Sequence, residues 1–197
     1  MTIPFHCRCG TLQGQIEPAD AYARAVCYCR DCQAFACALG REQDVLDAGG
    51  GSDIVAMLPA GVRFTAGRGQ VVCVSLSPKG LLRWHSACCN TPIANTARSP
   101  KLPYVGVLAS CMAGAPNVLD AAFGPPRIVL NTGSARDEVA ATPVRATLAV
   151  VRIMWGVLRA RLSGRHRDNP FFDMATSQPV AEPRVLTRQE RAEAEGR

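Results

Sequence analysis

Six residues, Cys27-Tyr28-Cys29-Arg30-Asp31-Cys32, place three thiols at C-x-C-x2-C spacing, and no other stretch of the chain restricts its fold as strongly. In an extended segment residues i and i+2 share a face, so Cys27 and Cys29 can converge on one point. A turn over Arg30-Asp31 then brings Cys32 to it. This reads as three ligands of one zinc ion. No fourth ligand sits within local reach, and three protein ligands with one open position is the arrangement of a working zinc rather than a purely structural one. The fourth corner is left to water, a substrate sulfur or a distant residue. Cys37, in the apolar run Gln33-Ala34-Phe35-Ala36-Cys37-Ala38-Leu39, reads as inert core before it reads as that ligand.

A second set of thiols is split along the chain. Residues 6–16 read as a first strand opening with Cys7-Arg8-Cys9-Gly10, in which Cys7 and Cys9 share a face and Gly10 permits the positive φ that turns backbone N–H groups toward thiolate sulfurs. The other half of this structural site is expected in His85-Ser86-Ala87-Cys88-Cys89. Cys88 is the third ligand. The fourth is either His85, which forms an H-x2-C knuckle with Cys88, or Cys89, whose thiol points elsewhere unless the backbone turns sharply. The spacing favours His85.

Between these halves the chain alternates short β-rich runs with turn residues. Residues 54–57, 62–65, 70–76 and 81–85 are separated by Pro59-Ala60-Gly61, Gly67-Arg68-Gly69 and Ser77-Pro78-Lys79-Gly80, the grammar of antiparallel hairpins. Cys73 inside one run is core. Residues 18–25 read as a connection and 40–52 as a loop. The length of 197 residues allows a real hydrophobic core, so the ten cysteines are not needed as disulfide staples. The N-terminus lacks a basic start followed by an apolar run, which together with the clustered thiols points to a reducing, cytoplasmic setting. No apolar run reaches membrane-spanning length. The net charge of +6 permits anionic partners without selecting one, and nucleic acid is not an expected partner.

These residues together resemble the glutathione-dependent formaldehyde-activating family and its centromere-protein-V relatives, on the Mss4-like antiparallel β fold. The matching positions are Cys7, Cys9 and Gly10, then Cys27, Cys29 and Cys32, then Trp84, Cys88, Thr91 and Pro92. The likeness covers roughly residues 5–110. It implies two zinc ions, a structural one held by the first and last pairs and a catalytic-type one held by the central triad. The family carries Cys where this chain has His85 and Gly where it has Cys89. The 84–96 stretch, with Pro170-Phe171-Phe172 and Pro183-Arg184-Val185-Leu186-Thr187, resembles a bacterial branch of that superfamily.

Three thiolates leave a zinc site negatively charged, a weaker acidifier of water than a neutral three-histidine site but well suited to a further sulfur. Addition of a small thiol such as glutathione to an aldehyde, or carbon–sulfur cleavage by the reverse path, fits that chemistry. The expected activity is therefore a carbon–sulfur lyase of the S-hydroxymethylglutathione synthase type. Asp31 and His6 lie near the thiols in sequence, but no residue is assigned as general acid or base. The competing reading is a non-catalytic zinc module that binds protein or nucleic acid through an arginine-rich helix.

That helix belongs to an expected extension, residues 134–197, that follows a zinc-binding β domain spanning 1–133. Residues 100–133 read as further strands and loops, with candidates at 105–108 and 127–130, and Cys111 as core. Thr142-Pro143 then starts a helix running to about 163. In it Val144, Leu148, Val151, Trp155, Leu158 and Leu162 form one apolar stripe with Arg145, Arg152 and Arg159 beside it. The stripe is expected to pack on its own domain. Beyond it lies an extended tail anchored by Phe171 and Phe172, and Thr187-x-x-Glu190 is a capping box for a short last helix.

Overall fold

A computed structural model describes residues 1–196. The first hairpin pairs β1 (Ile3–His6) with β2 (Gln13–Ile16), in register from Ile3 opposite Ile16 to His6 opposite Gln13. The predicted strand over 6–16 is thus a reversal followed by a strand. Gly10 at φ +77° makes that reversal possible, and it leaves Cys7 and Cys9 in the turn. The segment read as a connection supplies β3 (Ala21–Cys27), which leads into α1 (Arg30–Ala38). A short helix, α2 (Glu42–Val45), interrupts the predicted loop.

The hairpin region follows its turn residues closely: β4 (Ser52–Met57), β5 (Val62–Ala66), β6 (Val71–Ser75) and β7 (Leu82–Ser86). Next come β8 (Pro92–Thr96), β9 (Val105–Leu108), α3 (Pro116–Phe123) and β10 (Ile128–Leu130). Helix α3 is absent from the sequence reading of 100–133, although Pro116 stands in its first turn as a helix start often requires. The chain closes with α4 (Pro143–Leu162), β11 (Phe172–Asp173), β12 (Gln178–Pro179), β13 (Pro183–Val185) and α5 (Arg188–Glu195). Both halves of the Thr187/Glu190 capping box are formed.

The fold is mainly β. One eight-stranded sheet runs β10-β3-β4-β9-β8-β7-β6-β13, a three-stranded sheet runs β1-β2-β5, and β11 pairs with β12. The outermost strands β10 and β13 pair in parallel with β3 and β6, while the inner strands are antiparallel. Residues beyond 133 take part fully. Strand β13 extends the large sheet, and Phe171 and Phe172 are buried against Trp84 with ring centroids 5.2 and 6.3 Å away. Burying each such ring contributes about 1.5–3 kcal/mol.

The period-2 alternation of β6 divides the core. Val71 and Cys73 join Phe5, Ile16, Val55 and Trp84 on one side of the sheet, whereas Val74 packs with Phe35, Cys37, Leu108 and Leu186 in a second cluster under α1 and α5. Trp84 is fully enclosed, and its indole N–H donates to Thr96 Oγ1 at 3.0 Å, so burying it strands no polar atom. Both clusters of metal-type thiols lie where strands of these layers end.

Helix α4 reverses the expectation for its stripe. Ala149, Val157 and Ala160 are buried, whereas Val144, Leu148, Val151, Trp155, Leu158 and Leu162 are all exposed. The helix is seated by its small residues because Tyr22 of β3 occupies the space beside Gly156. A Cβ there would meet the Tyr22 ring at 2.1 Å. Thr142 stands at the N-cap, but its hydroxyl accepts the Val129 N–H of β10 at 2.8 Å rather than capping the helix.

Candidate metal centres

Two turns meet to form the first centre. In the β1–β2 turn, Cys7 and Leu12 exchange contacts: the Cys7 N–H donates to the Leu12 carbonyl at 2.9 Å and the Leu12 N–H points at Cys7 Sγ at 3.2 Å. In the β7–β8 turn, the Asn90 N–H returns to the Ser86 carbonyl at 2.9 Å, the Thr91 N–H donates to Ser86 Oγ at 3.0 Å, and Asn90 adopts φ +55°. The Arg8 N–H donates to Thr91 Oγ1 at 2.9 Å, which locks the turns together.

The sulfurs of Cys7, Cys9, Cys88 and Cys89 all lie within 4.8 Å of one another. Individual separations are 3.4 Å for Cys7–Cys9, 3.6 Å for Cys7–Cys88, 3.3 Å for Cys9–Cys88 and 3.9 Å for Cys88–Cys89. A tetrahedral zinc with arms of about 2.3 Å to sulfur has edges of about 3.8 Å, so this donor set fits the ion. None of the four thiols is in a disulfide.

Cys89, not His85, is the fourth member of this group, against the preference drawn from spacing. The sharp turn that Cys89 requires is present, with Asn90 supplying the left-handed residue that asparagine tolerates better than most. Arg41 donates to the Cys89 carbonyl from the far side and holds that peptide in place. His85 follows the core residue Trp84 and so points to the opposite face of β7, where its Nδ1 lies 3.3 Å from the Ser86 carbonyl. Burial lowers its pKa and keeps the ring neutral. Burial also pushes the Cys89 thiol up, but hydrogen bonds from Ser86 and Thr91 outweigh it and bring that thiol down to about 5.

The second centre sits where β3 ends and α1 begins. Cys27 is the last residue of β3, Cys29 is the N-cap of α1, and Cys32 lies in its first turn. The Cys32 and Gln33 N–H groups both return to the Cys29 carbonyl, at 3.0 and 3.3 Å. That turn gathers the three sulfurs within 4.8 Å of one another. The position at a helix N-terminus favours negative charge on Cys29 and Cys32. Cys27 and Cys32 are buried and Cys29 is partly exposed, so the cluster is reached from the Cys29 side. The neighbouring thiols and the Asn131 amide donate to Cys27 and hold it far below an ordinary thiol. Cys27 in turn raises Cys29 and Cys32.

Four polar residues that the sequence reading did not single out surround this centre. Asn131 follows β10, whose pairing puts Leu130 opposite Cys27, and its Nδ2 donates to Cys27 Sγ at 3.2 Å. Arg83 is buried, is held by Asn95 Oδ1 at 3.2 Å, and lies over the Phe35 ring at 5.3 Å. Its positive charge acts on Cys32. Tyr104 is kept protonated first by burial and then by the charges of Cys27 and Cys32. Asn131, Arg83 and Asn95 are far from the triad in sequence, so only the sheet order brings them together.

Asp31 is engaged by arginines, pairing with Arg83 at 3.8 Å and with Arg191 of α5 at 3.3 Å. His6 belongs to the first hairpin, its Nδ1 3.0 Å from the Cys7 carbonyl. Neither belongs to the three-sulfur group. Cys37, Cys73 and Cys111 are buried outside both groups, in keeping with their reading as core.

No curated protein matches the chain. Among solved structures, a Rhodobacter sphaeroides protein, Northeast Structural Genomics target RhR83, aligns with a TM-score of 0.45 at 14% identity, covering 65% of this chain and 99% of its own. The family model described as "Family of unknown function (DUF6151)" matches residues 1–184, and the chain belongs to that family.

Proposed function

We propose that this is a zinc protein of the glutathione-dependent formaldehyde-activating type on an Mss4-like β fold. In this reading Cys7, Cys9, Cys88 and Cys89 hold a structural zinc, and Cys27, Cys29 and Cys32 hold a second zinc at which a thiol–aldehyde adduct is made or cleaved. The observation that carries the reading is the convergence of three thiols within 4.8 Å of one another at one strand-to-helix junction beside a buried arginine. A zinc bound there supplies a Lewis acid that favours the thiolate form of a sulfur ligand.

The chain's own groups define the remainder of the site. Asn131 steadies the sulfur of Cys27 as an acceptor, and Arg83 contributes fixed positive charge against the accumulated thiolates. The Tyr104 phenol retains its proton. Overall, a thiol adds across an aldehyde carbonyl: a carbon–sulfur bond forms, and the carbonyl oxygen takes the proton the thiol gives up. The reverse reaction cleaves the same bond. A small thiol such as glutathione is the expected partner, and a reducing cytoplasm is the setting that preserves both thiol clusters.

Zinc content per chain, measured on the native protein and on Cys29→Ser, tests the reading together with the rate of adduct formation from glutathione and formaldehyde. Two zinc ions falling to one in a folded variant, with loss of acceleration over the uncatalysed rate, is the expected result. One zinc in both proteins refutes the second metal. Two zinc ions without acceleration in the native protein refute the activity.

A further inference from the structure

Helix α4 presents an apolar face to solvent that nothing else in the fold covers among the described residues. Trp155 is 61% exposed, Leu162 81% and Val144 73%, and Leu148, Val151 and Leu158 complete the stripe. Monomeric proteins rarely leave such contiguous apolar area bare without a use for it.

The charges on the helix select the occupant. Arg145, Arg152 and Arg159 recur at seven-residue intervals along one flank of the stripe, Arg161 lies on the other, and the sequence from Pro143 to Leu162 contains no Asp or Glu. A groove of about 710 Å³ beside the helix joins the two features, its apolar lining, which includes Leu148 and Val151, being interrupted by Arg127, Arg145 and Arg152. A second copy packed on this face would set arginine rows near one another with no carboxylate on either helix to offset them. Nucleic acid would meet the arginines but leave Trp155, Leu148 and Leu158 without a partner.

An anionic lipid surface satisfies both features, taking the apolar side chains into the acyl boundary and the guanidinium groups among its phosphates. No helix is long and apolar enough to cross a membrane, so the helix would lie in the interface plane. We propose that α4 is a docking helix for an anionic membrane surface, seated on the domain by Ala149, Gly156 and Ala160 and inserted through Leu148, Val151, Trp155 and Leu158.

The test is co-sedimentation of the full chain with phosphatidylcholine vesicles with and without phosphatidylglycerol, with Trp155 emission followed against a Trp155→Phe control. Binding to the anionic vesicles, a blue shift that the control lacks, and weakening at high salt are expected. The doubly exposed variant Leu148→Glu/Leu158→Glu should stay folded, as judged by circular dichroism, and lose binding. Arg152→Ala/Arg159→Ala should weaken partitioning about 30-fold, at roughly one kcal/mol per arginine. Equal binding to neutral vesicles overturns the assignment. So does a failure to bind either vesicle, whether the protein then sediments as a dimer that Leu148→Glu/Leu158→Glu dissolves, binds duplex DNA, or remains a monomer.

Discussion

Replacing Asn131 by glycine isolates what a single amide contributes to the three-cysteine centre. Asn131 holds a left-handed backbone at φ +56° and donates to Cys27 Sγ at 3.2 Å. Alanine would remove the amide and add backbone strain of about 1–2 kcal/mol, confounding the two effects. Glycine adopts the same φ freely, so it removes the donor without that strain, and its added chain entropy bears on folding of both sites alike. A hydrogen bond to a charged acceptor contributes about 1.5–3 kcal/mol, which corresponds to about 10- to 150-fold in metal affinity.

The assay is competition for zinc with a chromophoric chelator, which resolves two sites in one titration. The four-cysteine site serves as the internal reference, because its thiols come from the β1–β2 and β7–β8 turns and Asn131 follows β10. Selective weakening of one site by at least tenfold, with the fold of the metal-loaded protein intact by circular dichroism, is expected. Equal affinity of both sites before and after the substitution refutes the claim that Asn131 supports a metal-binding Cys27.

Other substitutions probe separate parts of the fold. Cys89→Ala should lower the affinity of the four-thiol site by on the order of 100-fold, a quarter of a typical structural zinc binding energy, whereas His85→Ala should leave two zinc ions per chain by elemental analysis. Gly156→Ala puts a Cβ 2.1 Å from the Tyr22 ring and should cost about 1–3 kcal/mol in denaturant unfolding, more than the helix propensity of alanine returns. Tyr22 has a buried hydroxyl without a hydrogen-bond partner, and burial followed by the charge of Asp20 raises its pKa from 10.0 to about 12. The folded-state value lies above the unfolded one, so stability is unaffected by this group's titration below pH 10.0 and falls as pH climbs toward 12. Tyr22→Phe should remove that alkaline loss from the unfolding profile and raise stability at neutral pH by about 1 kcal/mol.

The two thiol clusters are legible in the sequence wherever their cysteines are close along the chain. Cys27, Cys29 and Cys32 converge as their spacing requires, and Gly10 adopts the positive φ expected of it. The choice between His85 and Cys89 depended on a different kind of information. A histidine three residues before a cysteine matches a knuckle only if both side chains leave the same face. His85 lies within β7, where parity with the buried Trp84 decides its direction, while Cys89 lies beyond the strand in a turn tightened by Asn90. The signal was present in Asn90, but a left-handed asparagine becomes informative only once the strand end is known. Arg83, Asn95 and Asn131 are harder still, because a strand or strand-end position next to a thiol cluster looks locally like any other.

Helix α4 shows how a correct pattern can carry an incorrect direction. The stripe from Val144 to Leu162 has the larger residues, and burial by size would turn it inward. Packing against a sheet, however, depends on how closely two backbones approach. The bulky partner in this contact is Tyr22, so the helix must offer Gly156 and its small neighbours Ala149 and Ala160. Once that face is used, helical geometry leaves the large apolar residues on the outside, with arginines at their borders. Burial of the larger stripe would have been favoured by the hydrophobic effect alone. An anionic lipid surface, as proposed for this helix, would receive the large side chains, and the arginine flanks with no acidic residue among them match the sign of its charge.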